Sequence, residues 1–408
     1  SVMEEDGRYR MWYQTRGVTK TDAGEKRDLT CYAESDDGLR WRRPNLGLIE
    51  YDGSRDTNIV MPTGPYRAEG LGIFKDPNAP AAERYKCIGT SSVSGEALLS
   101  GFTSPDGVRW TSLRSNPLVE WWSVTHHAAF WDEARRAYVA FVRCWSGGDR
   151  TPDKRSITGR DMTQAPAVPN RGKRQIGRME TRDFAHWPKP TVVLEADQLD
   201  AIPCDLYNSA ALKYPWAERA YFILASAYYG TPFQYGQEAL DTLDIRFAVS
   251  RDGIRWHRPD RKPWLRTGLP GSGESQRLYM GQGVVRQGDR MYMYYCGYDV
   301  PHGHPREDRH RIGVFRRVSV RPDGFMSADS AYEGGELLTR PFVFTGRKLQ
   351  YNVDLSAGGV LWTEIQDSEG RPIRGFARAD SDRIVGNHLC VTASWGGNSD
   401  LSSLAGSP

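Results

Sequence analysis

The sequence predicts an all-β protein, a five-bladed β-propeller followed by a small C-terminal β-sandwich. Three observations predict it. A short motif returns at near-constant spacing, an aromatic-rich strand accompanies each copy, and no stretch carries the pattern of a long amphipathic helix.

The motif is Ser/Thr-x-Asp-Gly-x-x-Trp. It reads Ser35-Asp36-Asp37-Gly38-Leu39-Arg40-Trp41, then Ser104-Pro105-Asp106-Gly107-Val108-Arg109-Trp110. A degenerate copy, Thr181-Arg182-Asp183-Phe184-Ala185-His186-Trp187, precedes Ser250-Arg251-Asp252-Gly253-Ile254-Arg255-Trp256 and a weaker echo, Arg321-Pro322-Asp323-Gly324-Phe325. From Trp41 through Trp110, Trp187 and Trp256 to Phe325 the steps are 69, 77, 69 and 69 residues. Such regularity marks a repeat architecture.

Each unit has an aromatic or β-branched run suited to a strand: Arg8–Tyr13, Arg84–Cys87, Ala137–Phe141, Ala220–Leu224 and Arg290–Tyr295. The next strand leads into the Asp-Gly turn, where Asp caps through its side chain and Gly supplies positive φ. Each unit is thus a small antiparallel sheet with a hydrophobic face on its neighbour, and five of them close with only short edges left over. The motifs belong at hairpin turns on the outer rim with the Trp between blades, a structural role.

The propeller is expected over residues 1–333 and the sandwich over 334–408, where the repeat is abandoned. Leu349–Asp354, Val360–Ile365 and Leu389–Trp395 alternate as sandwich strands. The first blade's inner strand is expected to lie largely before Ser1, with Val2-Met3 as its tail and Glu4-Glu5-Asp6 in the following turn. The end at Leu404–Pro408 falls short of the last strands that a sandwich needs.

Composition narrows the classes. At 39% hydrophobic and 26% charged residues the chain is an ordinary globular one rather than disordered. Its 54 basic and 51 acidic residues are interspersed, so nucleic acid is not an expected partner, and no apolar run spans a bilayer. The six cysteines have no zinc-like spacing, and the first five fall one per blade, which predicts free thiols. Neither localisation nor oligomeric state follows from these features.

The pattern of a five-bladed propeller with Ser-x-Asp-Gly-x-x-Trp repeats and a following sandwich resembles the glycoside hydrolase superfamily of families 32, 43 and 68. It looks nearest to bacterial family-32-like and family-43-like hydrolases. Phe74–Pro80 with Glu83–Lys86, Val249–Trp256 and Gly375-Phe376 carry the likeness. The Trp-x-Asn-Asp-Pro-Asn-Gly signature of family 32 and a clear Glu-Cys acid motif are absent. The resemblance implies a carbohydrate substrate and a pair of catalytic carboxylates in the central pocket.

Propellers bind ligands where their innermost strands converge, so candidates come from the openings of those strands. Glu69 precedes the second blade's inner strand, and Trp121, Trp122, His126 and His127 precede the third. Asp205, Tyr207 and Asn208 open the fourth, and Glu274, Arg277 and Tyr279 the fifth. Aromatic faces stack on a sugar ring while polar side chains bond its hydroxyls. Glycoside hydrolysis needs one protonated and one ionised carboxyl. Asp205 and Glu69 are the expected pair, Glu274 the substitute, and Asp56 a further group reaching in from a loop; none of these excludes a structural role for the same carboxylates. Asp76 aligns with Asp132, Pro215 and Gln287, in the turn after the inner strand, and is read as a turn residue. No cofactor is expected, although a structural cation in the channel is conceivable. His302-Gly303-His304 with His310 is the one metal-like cluster, and its proline-rich loop argues against a metal site. A non-catalytic carbohydrate-binding protein and a protein-contact propeller are the competing readings.

Overall fold

A computed structural model describes residues 1–20, 26–61, 69–93, 96–123, 126–146, 173–201, 204–229, 241–302 and 313–406; the side chains of 16–20, 26–28, 69, 92–93 and 96–97 are not among those described. The chain is all-β, and the helical elements among the described residues are short 3-10 turns. No helix there is long and apolar enough to cross a membrane.

The repeats appear as successive antiparallel sheets. The first is β1 (Val2–Glu5), β2 (Arg8–Lys20), β3 (Lys26–Ser35) and β4 (Ile59–Met61), paired in that order. The second is β5 (Glu69–Lys75), β6 (Tyr85–Val93) and β7 (Glu96–Ser104), with β8 (Thr111–Ser112) and β9 (Val119–Trp122) both on β7. The third is β10 (Ala128–Asp132), β11 (Ala137–Trp145), β12 (Arg174–Thr181) and β13 (Thr191–Leu194).

The fourth and fifth repeats share one sheet. It holds β14 (Asp205–Asn208), β15 (Leu212–Lys213), β16 (Tyr221–Tyr229), β17 (Thr242–Ser250), β18 (Arg277–Met280), β19 (Val285–Gln287), β20 (Arg290–Tyr298) and β21 (Gly313–Val320). A single parallel pairing, Leu243 with Arg277, joins the two halves.

The core follows from strand alternation. On β11, Val139 and Phe141 pack with fourth-repeat residues such as Leu206 and Ile223, whereas Ala140 and Val142 pack with Ile88 and Leu99 of the second. On β6, Cys87 joins Trp12 and Tyr32 of the first repeat while Ile88 turns the other way. An inner repeat therefore buries both faces of its sheet, where the sequence reading assigned it one. The last repeat also meets the first: the Val2 amide donates to the Gln282 carbonyl at 2.9 Å, and the Tyr294 hydroxyl to that of Gly38 at 2.6 Å.

The Asp-Gly turns have the expected chemistry. Ser104 Oγ accepts from the Gly107 amide, and Asp106 Oδ1 from the amides of Val108 and Arg109; Ser35-Asp37 and Ser250-Asp252 repeat the pattern. The degenerate copy keeps the geometry without glycine, because Trp187 Nε1 donates to the Phe184 carbonyl just as Trp110 Nε1 does to Gly107. Trp41 meets Tyr294, and Trp256 meets Phe141, edge to face across repeats. All six cysteines are free, as expected.

The first repeat departs from expectation at its start. Val2–Glu5 is a strand in register with Arg8–Met11, so Glu4 and Glu5 are strand residues and the turn is Asp6-Gly7, both at positive φ. Three consecutive acids have the composition of a loop, but Glu5 is drawn into the sheet by Arg10, Lys75 and Tyr85.

The chain divides into two compact units, Ser1–Val285 with Met293–Val318, and Arg286–Tyr292 with Ser319–Pro408. The second holds β22 (Gln350–Asp354) paired with β25 (Asn387–Thr392), and β23 (Val360–Leu361) paired with β24 (Ile384–Val385). Phe376, Ala393, Trp395 and Leu401 form its core.

Candidate functional site

Four repeats approach one another at their first strands. Ser1 Oγ accepts from the Ile73 amide, the His127 amide donates to the Gly70 carbonyl at 2.6 Å, and Gln282 Nε2 reaches the Ala129 carbonyl at 2.7 Å. The approach requires glycine: a Cβ on Gly72 would lie 2.8 Å from the His127 carbonyl oxygen, and one on Gly283 only 2.0 Å from that of Val2.

Beside this convergence lies a small pocket lined by His126, Val142, Arg143, Gln175, Ile176, Tyr207, Asn208 and Ser209. Tyr207 on β14 is the centre of an aromatic group. Its ring meets Tyr228 at 5.7 Å, His302 at 4.9 Å and Tyr279 at 6.1 Å between centroids. Tyr279 in turn lies 5.9 Å from the His126 ring, and its hydroxyl is 2.6 Å from His302 Nδ1. Burial pushes the Tyr279 phenol well above its ordinary range.

Arginines are layered on these rings. The Arg143 guanidinium sits 4.0 Å from the Tyr207 centroid, and its Nε and Nη2 donate to the Tyr207 carbonyl at 3.2 and 2.5 Å. Arg174 lies 4.9 Å from the rings of Trp145 and Tyr228 and pairs with Asp205 at 2.9 Å. Arg277 lies 4.2 Å from Tyr298 and donates to the carbonyls of Pro301 and His302. Cation–π contact of this kind holds a guanidinium in place without neutralising it.

The histidines are kept neutral. Burial lowers His126 to about 4 and His127 to about 3, with the Arg143 charge acting in the same direction. His127 Nε2 lies 2.9 Å from Thr90 Oγ1, and its buried Nδ1 has no hydrogen-bond partner among the described residues. The buried Nδ2 of Asn208 also lacks one among those residues, while its Oδ1 accepts from the Ser226 amide.

Of the residues expected at the site, His126, Tyr207 and Asn208 line the pocket, and Tyr279, Arg277, Asp205 and His127 surround it. Trp121 supports Arg143 from behind through Nε1 to its carbonyl, and Trp122 stacks on Trp145 at 5.8 Å. Glu69 opens β5 opposite Thr90 and its side chain lies outside the described residues. Two expected groups are not brought to the pocket. Glu274 is held elsewhere by the Tyr295 hydroxyl at 2.8 Å and Arg316 at 3.2 Å, and Asp56 is exposed on its loop. Asp76 is a turn residue after β5, as expected, accepting from the Asn78 amide through Oδ1, and it is also a buried acceptor for Tyr138. His304 and His310 lie outside the described residues, and among those described no cluster of His, Cys, Asp or Glu has the geometry for a metal.

Arg143, Arg174, Gln175 and Tyr228 were missed, because they come from second and third strands, and His302 was weighed only as part of a metal-like cluster. A signal existed for the first: Arg143 interrupts the otherwise apolar Val139–Trp145 run.

No protein-family model matches the chain, and no curated protein matches it in sequence. Solved structures do match in fold. One, a complex of BT0996 with RGII, aligns with TM-score 0.52 at 15% identity over 81% of this chain and 88% of that one. A second, described as a glycoside hydrolase, aligns at 16% identity over 78% of this chain and 85% of that one, with TM-score 0.48. A glycosyl hydrolase from Bacteroides ovatus aligns at 13% identity over 81% and 85%, with TM-score 0.47. At these identities the likeness is one of fold.

Proposed function

We propose that this chain is a carbohydrate-active enzyme, a glycoside hydrolase of the propeller superfamily that includes families 32 and 43. In this reading the repeats are five blades, the shared sheet counting as two, and residues 334–408 form a β-sandwich. The observation that carries the reading is the pocket itself: Tyr207, His126, Asn208 and Gln175 line it, further aromatic rings pack edge-to-face or tilted around it, and the buried carboxylate of Asp205 lies beside it. That combination suits a sugar, with apolar faces for the ring and directional groups for its hydroxyls.

Asp205, held against Arg174, takes the role of the ionised carboxylate that attacks or activates water. Glu69 takes the role of the acid, since it opens β5 as Asp205 opens β14. The test is turnover of aryl glycosides and oligosaccharides by the purified protein, with product resolved by chromatography. Asp205→Asn and Glu69→Gln abolish product formation while the circular dichroism spectrum is retained; full activity in both removes the assignment.

One observation favours a second reading, carbohydrate binding without cleavage. The described residues that line the pocket include no carboxylate. Saturable binding of a glycan with no product after prolonged incubation supports that alternative.

A further inference from the structure

Many partly buried arginines in this fold are paired with carboxylates. Arg10 pairs with Glu5, Arg178 with Glu180, Arg174 with Asp205, Arg246 with Asp244, and Arg258 with Asp197 and Asp200. This is expected, because an uncompensated buried charge is costly. The two described arginines that are buried outright do not follow this pattern, and both are at the site. Arg143 is 5% exposed and Arg277 is 4% exposed, and among the described residues neither has a carboxylate partner. Their hydrogen bonds go to backbone carbonyls, and Arg277 Nε is buried with none among the described residues.

Among the described residues the nearby charges compensate only in part, because Asp205 favours the Arg143 charge while Arg174 opposes it. Asp205 is engaged by Arg174, Asp241 accepts from the Tyr228 hydroxyl, and His126 and His127 are neutral. Burial pulls Arg143 down to about 10. Arg143 is the charged side chain on the described pocket wall, and a guanidinium offers five N–H donors of which Arg143 commits its Nε and one Nη to a single oxygen. A planar fork with donors to spare suits a carboxylate or another oxyanion better than a neutral hydroxyl.

We propose that the pocket selects a sugar bearing a carboxylate, a uronic acid, and that Arg143 receives that carboxylate. The proposal rests on the carbohydrate reading above and specifies its substrate class. The uronate carboxylate faces Arg143, and Asn208 and Gln175 take hydroxyls at the pocket that the Tyr207, Tyr279 and His126 rings border. Arg277 adds positive potential from the adjoining strand without lining the pocket.

The test is calorimetric titration of the intact protein with matched pairs: galacturonate against galactose, glucuronate against glucose, and short oligomers of each, with inorganic phosphate as a third arm. The acidic member of a pair binds about 10- to 100-fold more tightly, the worth of a charge-assisted hydrogen bond. Arg143→Gln erases the preference, and Arg143→Lys, which keeps the charge but not the fork, restores part of it. The wild-type comparison stands even where a variant does not fold. Equal or tighter binding of the neutral sugar overturns the proposal and leaves the carbohydrate reading standing. Phosphate binding with no saccharide competing for it assigns the site to an inorganic oxyanion and overturns the proposal. Absence of binding by any saccharide overturns both.

Discussion

The Tyr138 hydroxyl, at the start of the third repeat's second strand, donates to Asp76 at the end of the second repeat's first strand, at 2.6 Å. The same contact recurs between Tyr221 and Asp132 at 2.5 Å, and between Tyr85 and Glu5. A lysine accompanies each acid: Lys86, Lys213 and Lys75. The first four repeats are thus latched in turn by a phenol on a carboxylate, buried at Asp76 and Asp132 and half-buried at Glu5, and the phenols of Tyr85, Tyr138 and Tyr221 are all raised, by burial and then by the acid each one meets. The series stops at the fourth repeat, where Pro215 stands in place of the acid.

Tyr138→Phe leaves Asp76 buried with one donor fewer, and is expected to cost about 1–3 kcal/mol in denaturant unfolding. Tyr221→Phe is expected to cost a similar amount at Asp132. A Phe variant as stable as the parent would show that the phenol is only space-filling.

Glu5 gives the latch a pH signature. Burial alone would raise its carboxyl, but hydrogen bonds from Lys75, Tyr85 and Arg10 together outweigh burial and hold it at about 2. A depressed pKa contributes stability above the unfolded value near 4.5 that is lost as pH falls toward 2. Thermal unfolding from pH 6 to pH 2 should therefore decline less steeply in Glu5→Gln than in the parent. Identical slopes would remove Glu5 from the acid response.

The thiols offer a check on the packing. Burial raises Cys31 to about 11 and Cys144 and Cys204 to about 12, while Cys390 is exposed. Thiolate is the reactive form. Under native conditions a maleimide should label one thiol, at Cys390, and six after denaturation. Fast native labelling at Cys204 would contradict the packing between the third and fourth repeats.

The structure separates two carboxylates that the sequence placed together. Asp205 is 1% exposed beside the aromatic group, whereas Glu274 is tied to Tyr295 and Arg316. Asp205→Asn is expected to lower kcat on any cleaved glycan by about 100-fold or more, the scale of a lost catalytic carboxyl. Glu274→Gln is expected to stay within a few-fold. Equal losses would return Glu274 to the site.

What the sequence made legible was local chemistry. Ser104, Asp106 and Gly107 build their turn from neighbours two or three positions away, so the repeat and its period could be read directly. Strand openings were legible for the same reason, which is how Tyr207, Asn208 and His126 were found. Arg143 was not, because its partner carbonyl lies 64 residues on, and only the packing of β11 against β14 joins them. Glu274 misled for the converse reason: it lies just before β18, but Arg316 on β21 holds its carboxylate.

The Asp-Gly turns supply the last prediction, since their role is structural. Gly107 has φ +75, and a Cβ there would lie 2.8 Å from Trp12 Cζ2 and 3.1 Å from Arg10 Nη2. Gly253 has φ +69, but its nearest neighbour, Tyr221 Cδ1, is 3.3 Å away. Left-handed backbone alone costs an L-residue about 1–2 kcal/mol. Gly253→Ala should approach that figure, and Gly107→Ala should exceed it, because Trp12 also donates to the Gly107 carbonyl at 2.6 Å and cannot retreat without breaking that bond. Neither residue lines the pocket, so glycan affinity should be unchanged in whatever fraction remains folded. Paired unfolding and binding curves for the two variants decide this: a loss of affinity without a loss of stability would make the turn part of the site after all.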